Sequence, residues 1–161
     1  MRPLPPTLRE NRRYVLSRVE PPWAEIDGRS ISAAVAEAVA SLFGDAGLAR
    51  IQPAVISAGA GHAIIRCVRS TEGELVAALA TVHRVGSQRV ALRPVRTSGT
   101  LRALRRAVRE GAFCPATETG EARFGGRTFP CIRYQIEKVD LFEKGFKSQE
   151  PLFLTAEDLE E

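Results

Sequence analysis

The sequence predicts an α/β (α+β) fold, a ferredoxin-like or RRM-like β-α-β-β-α-β sandwich with an extra C-terminal helix. Three observations predict it. Strand-like apolar runs and helical apolar stripes follow one another in that order between residues 13 and 97. Pro53 and Pro94 fall in the second and fourth strands, and proline lacks the N–H that a central strand needs. In a ferredoxin-like sheet of spatial order 4-1-3-2 those two strands are the edges, while the central first and third strands hold no proline.

Each element has a local reason. Residues 1–12 read as an extended basic arm, because Pro3, Pro5 and Pro6 oppose helix and favour polyproline geometry. Arg13–Val19 is β-branched and aromatic enough for a strand, ended by Pro21-Pro22 and Asp27-Gly28. Ser30–Phe43 reads as a helix with Ile31, Val35, Ala38, Val39 and Leu42 on one face, Ser30 as N-cap and Gly44 or Gly47 as its end. Residues 48–57 read as the second strand, Gly59 and Gly61 as a turn, and His62–Arg69 as the third strand. Thr71 and Glu74 have the spacing of a capping box before a stripe of Leu75, Val76, Leu79 and Val82. Gly86-Ser87 turns the chain into a fourth strand, Arg89–Thr97, and Ser98-Gly99-Thr100 opens a helix over residues 101–110. The domain is thus expected to span residues 13–110. In the extension of residues 111–161, a hairpin is expected around Gly125-Gly126 over residues 121–136, and an acidic, mobile tail over residues 143–161.

Composition narrows the function. At 44% hydrophobic and 26% charged residues the chain can bury a core. Its apolar runs are short and interrupted, so no membrane span is expected; the proline-rich N-terminus lacks the apolar run of a signal peptide, and a cytoplasmic protein is expected. Cys67 reads as core, and Cys114 and Cys131 form no metal or disulfide pattern. His62 and His83 have no acid or thiol at catalytic spacing, and no nucleophile elbow, P-loop or zincin motif is present. Gly59-Ala60-Gly61 precedes a strand, not a helix, and so offers no phosphate cradle. No catalytic residue, metal ligand or protein-bound cofactor is assigned.

The positive charge is concentrated. Arg84, Arg89, Arg93, Arg96, Arg102, Arg105, Arg106 and Arg109 occupy residues 84–109 without one acid, and Arg2, Arg9, Arg12, Arg13 and Arg18 face only Glu10 in the first eighteen residues. Residues 137–161 reverse the sign, with eight acids against three lysines. Arginine bridges phosphate oxygens bidentately, and four arginines on one helix repel one another unless a polyanion joins them. The residues expected to meet RNA are Arg2, Arg9, Arg12, Arg13, Arg93, Arg96, Ser98, Thr100, Arg102, Arg105, Arg106 and Arg109. Base stacking on the open sheet is not expected, because the third strand has no aromatic residue and the first only Tyr14. That sheet face, with Tyr14, Ile64, Arg66 and Val68, is expected to meet either the third helix or a partner protein.

The opening Met1-Arg-Pro-Leu-Pro-Pro-Thr-Leu-Arg9, then Arg13-Tyr14, Phe43-Gly44-Asp45-Ala46-Gly47, Ile65-Arg66-Cys67 and Arg96-Thr97-Ser98-Gly99-Thr100-Leu101-Arg102, occur in the order seen in the archaeal ribonuclease P protein component 2 family, which this chain resembles over about residues 1–110. Leu101 stands where isoleucine is common in that family, and residues beyond 110 have no clear counterpart. The resemblance implies an RNA-binding subunit that supports a catalytic RNA in removing 5′ leaders from precursor tRNA, meeting that substrate indirectly. It implies magnesium on the RNA, other ribonuclease P proteins as partners, and a two-plus-two assembly with protein component 3. The competing expectations are a small-molecule-binding regulatory domain on the same scaffold, or a small hydrolase active by itself.

Overall fold

The computed structural model describes residues 11–21, 24–59, 61–111, 117–134, 138–141 and 152–159. The chain divides into two compact units, Met1–Phe113 and Cys114–Glu161.

In the first unit, β1 (Arg12–Glu20), β2 (Ala54–Gly59), β3 (His62–Val68) and β6 (Ala91–Ser98) form one antiparallel sheet of order β2-β3-β1-β6. With α1 (Gly28–Ile51) and α2 (Glu72–Thr81) between them, this is the expected ferredoxin-like topology. Pro94 lies in the edge strand β6, opposite Ser17 where the β1–β6 register shifts. Pro53 lies one residue before β2, not within it. A short hairpin, β4 (Arg84–Val85) and β5 (Gln88–Arg89), turns on Gly86 at φ 59°. It takes the start of the stretch read as the fourth strand.

α1 and α2 cover one face of the sheet. Val15, Val19, Ile65, Cys67 and Leu92 of the sheet pack there against Ile31, Val35, Val39, Ile51, Leu75 and Leu79. Burial pushes the Cys67 thiol pKa up, as its place in the core requires. α1 differs from expectation at both ends. Asp27, not Ser30, is the cap: its carboxylate accepts from the N–H groups of Arg29 (2.8 Å) and Ser30 (2.9 Å) and from the Ser30 hydroxyl (2.7 Å). The helix does not stop at Gly44. That glycine takes φ 66° and kinks the chain, which then resumes to Ile51 because Ile51 is wholly buried and Leu48 packs on the core. At 24 residues α1 is long and apolar enough to cross a membrane by length and composition, contrary to the reading of short, broken runs. In this fold it is the main core helix of the sandwich.

The capping box at α2 is also corrected. The Thr71 hydroxyl donates to the Val68 carbonyl (2.8 Å), and Glu74 accepts from Arg50 of α1 (2.7 Å), so neither side chain caps the helix.

α3 (Leu101–Arg109) lies on the opposite face of the sheet. Its Leu104 and Ala107 bury Leu16 and Ile64, with Tyr14, Leu101 and Val108 at the margin. The unit is therefore three layers deep: two helices, a sheet, and one helix.

The second unit is an antiparallel meander of order β10-β9-β8-β7, built from β7 (Thr117–Phe124), β8 (Arg127–Tyr134), β9 (Lys138–Leu141) and β10 (Leu152–Thr155). Gly125 and Gly126, at φ 57° and 73°, form the two-residue turn between β7 and β8, as expected for a hairpin there. Ala122, Cys131, Val139 and Leu141 form a small core with Phe124, Phe129 and Leu159. The tail reading is corrected at residues 152–155, which pair with β9 and are followed by a 3₁₀ turn, Ala156–Asp158. Residues 142–151 lie outside the described residues.

Candidate nucleic-acid interface

A groove runs between β6 and α3. Arg96 enters it from the strand, opposite Leu16 and hence on the α3 side of the sheet; Thr100, Arg102, Arg106, Arg109 and Glu110 line the rest. The arrangement follows from the chain. The α3 stripe of Leu101, Leu104 and Val108 must face the sheet, so the interspersed arginines are turned outward.

The predicted arginines divide into two groups. Several are held by acids. Arg13 Nε lies 3.0 Å from Glu72 Oε1. Glu20, only 3% exposed, accepts from Arg18 Nε (2.8 Å), from Arg18 Nη2 and from Arg93 Nε (3.1 Å). Arg106 Nε donates to Glu110 Oε1 (2.7 Å). Arg12 Nη1 donates to Gln52 Oε1 (2.9 Å). The second group, Arg96, Arg102, Arg105 and Arg109, makes no ion pair among the described residues, and all four are exposed. A guanidinium without an internal acid keeps its donors for an external anion. The open charge is therefore concentrated on the groove and on α3. Arg93, expected among the RNA contacts, is also a partner of the buried Glu20 carboxylate.

The start of α3 gathers other predicted residues. Ser98 Oγ accepts from the Thr100 N–H (3.1 Å), while Thr100 is an N-cap whose own side chain makes no cap hydrogen bond. The Arg13 guanidinium lies against Gly99 at this turn. Arg2 and Arg9 lie outside the described residues.

The sheet face expected to meet either the third helix or a partner is largely covered by α3. Ile64 is buried under α3, which settles the choice between helix and partner in favour of the helix. Tyr14 is half-buried at the margin of the same cluster, and Val68 is half-buried at the end of β3. Arg66 is half-buried with its Nε out of contact with water and without a hydrogen-bond partner among the described residues. The functional residues missed in the sequence are the acids. Glu110 was readable as an i,i+4 partner of Arg106, whereas Glu20 and Arg93 stand 73 positions apart and no local pattern joins them.

Among the described residues, no three His, Cys, Asp or Glu side chains come together as possible metal ligands. His83 Nδ1 lies 3.3 Å from the Thr81 carbonyl, and no acid or thiol bonds to it among the described residues.

Fold and surface together define a class, a basic α/β sandwich that presents an arginine-lined groove suited to a polyanion. The chain belongs to the Rpp14/Pop5 family, whose model matches residues 13–109. It is 47% identical over 161 residues to ribonuclease P protein component 2 of Methanoculleus marisnigri, covering 100% of this chain and 99% of that one. The same component of Archaeoglobus fulgidus is 33% identical over 106 residues, which is 66% of this chain and 95% of that protein. Nearly all of that shorter relative is thus matched by two thirds of this chain. A chain from a cryo-EM structure of yeast ribonuclease MRP overlays with a TM-score of 0.47 at 11% identity, covering 65% of this chain and 93% of that one.

Proposed function

We propose that this chain is an RNA-binding protein subunit of ribonuclease P, without a catalytic centre of its own, and that it supports the catalytic RNA in removing 5′ leaders from precursor tRNA. The observation that carries this reading is the set of four exposed arginines, Arg96, Arg102, Arg105 and Arg109, that make no ion pair among the described residues, in a family domain whose relatives are named as ribonuclease P components. Folded RNA crowds its own phosphates together, and fixed guanidinium groups relieve that repulsion. The magnesium of the reaction is proposed to act on the RNA, and no step is routed through an ion on this chain. The protein acts in a ribonucleoprotein with other protein subunits, in the cytoplasm; protein component 3 in a two-plus-two assembly is the proposed arrangement.

Arg102→Glu tests the interface. It is exposed and unpaired among the described residues, so the fold is expected to survive. Binding to the ribonuclease P RNA, measured across a salt series, is expected to weaken by about tenfold at low salt, and the log–log slope to fall by about one. Unchanged affinity and slope would remove the groove from the RNA interface. Binding of a small metabolite with no binding to RNA or heparin would favour the regulatory-domain reading instead.

A further inference from the structure

Glu110 is an anomaly in this surface. It is the first acid after the eight arginines of residues 84–109, and it lines the groove that four of them form. Helix stability does not explain it. An acid at the C-terminus of α3 opposes the helix dipole. The order Arg106-then-Glu110 is the less favourable sense of an i,i+4 pair. The pair is exposed, 73% and 55% at the two side chains, where such bridges contribute little.

Its position does match that of a ligand. The Glu110 carboxylate takes the Nε donor of Arg106 at 2.7 Å. A hydrogen bond from Arg106 and the charge of Arg106 hold the Glu110 pKa below its ordinary range against desolvation, with lesser help from the charges of Arg109 and Arg96, which line the same groove. Three guanidinium groups of the groove thus act on one oxyanion. Carboxylate and phosphate oxygens are equivalent acceptors for guanidinium, so Glu110 marks the point where a backbone phosphate would be held.

We infer that Glu110 is a resident competitor for that phosphate: RNA engages the groove by displacing the Glu110 carboxylate from Arg106, and Glu110 thereby limits the affinity of the interface. This rests on the reading of the groove as an RNA interface. Because the pair is weak and exposed, the exchange costs only a few-fold in affinity, and each phosphate exchanged for the internal acid frees Arg106 to neutralise RNA instead.

The test uses the full chain, a labelled RNA hairpin and a double-mutant cycle. Glu110→Gln is expected to tighten binding about three- to tenfold at moderate salt and to steepen the log–log salt slope by about one. Arg106→Gln is expected to weaken binding. In the Arg106→Gln background the gain from Glu110→Gln is expected to shrink to about twofold or less, the residue of general charge removal. Affinity unchanged or weakened by Glu110→Gln overturns the inference. So does an equal gain in both backgrounds, which would assign the effect to net charge alone. A wild-type chain that binds neither the hairpin nor heparin would instead sink the RNA reading on which the inference stands. Thermal melts check that each variant folds.

Discussion

Arg93 and Arg96 stand three positions apart on β6, yet their surroundings give them different work. Arg93 satisfies Glu20, a carboxylate 3% exposed that also holds Arg18. Arg96 has no such acid among the described residues and lines the groove. Removing Glu20 takes away the carboxylate that Arg18 and Arg93 share, so Glu20→Ala is expected to lower stability by about 1–3 kcal/mol in urea unfolding, less than a fully buried pair because Arg93 is 42% exposed. A loss below about 0.5 kcal/mol would make the cluster incidental. Asp27 supplies a second residue-scale prediction. Hydrogen bonds from the Ser30 hydroxyl and N–H, and then from the Arg29 N–H, hold its pKa below the usual aspartate range. A depressed folded pKa gives stability that is present above the unfolded value and lost as pH falls through the folded one. Asp27→Ala is therefore expected to lower the melting temperature by a few degrees at neutral pH, and the difference is expected to close in acid. The arginine clustering was legible in the sequence. Which arginines are already neutralised was not, because Glu20 reaches Arg93 across the sheet and Glu72 reaches Arg13 from α2.

At the scale of elements, α3 decides what the sheet can do. Its apolar stripe was readable from Leu101, Leu104 and Val108, and so was the apolar face holding Ile64; that the two close on each other was a choice the sequence left open. Leu104 is fully buried in that contact. Leu104→Ala is expected to cost about 3 kcal/mol, with exchange protection lost first along α3 and the α1–α2 core kept. An unchanged exchange pattern on α3 would argue against this packing. Ile64→Lys is expected to expel α3 and destabilise the monomer, because Ile64 is buried against Leu104 and Ala107. The length of α1 was hidden for a related reason: Gly44 is a genuine helix breaker, but Leu48 and Ile51 have a core to return to, and tertiary burial overrides the local stop.

At the scale of the molecule, charge follows the two units. Met1–Phe113 holds seventeen arginines and nine acids, net +8, whereas Cys114–Glu161 holds six basic residues and ten acids, net −4. The family model stops at residue 109, although the Methanoculleus marisnigri relative matches the chain through residue 161, and the sheet topology up to residue 109 was legible because Pro94, the glycines and the apolar period agree. The meander was only half legible: the Gly125-Gly126 turn was visible, but β10 pairs across a stretch of ten residues from β9 that carries no strand signal. A chain ending at residue 113 is expected to keep the cooperative melt of the sandwich and its affinity for RNA; loss of both would place part of the interface in the second unit. The central proposal is that the open arginines of the groove and of α3 serve a catalytic RNA. Reconstituted cleavage of precursor tRNA by the ribonuclease P RNA at low magnesium tests it most directly. Adding the wild-type chain with its protein partner is expected to raise the rate of leader removal by at least about tenfold, and a variant with Arg96, Arg102, Arg105 and Arg109 all changed to glutamate is expected to lose that stimulation while remaining folded. Equal stimulation by both proteins, or cleavage by the protein without RNA, would contradict it.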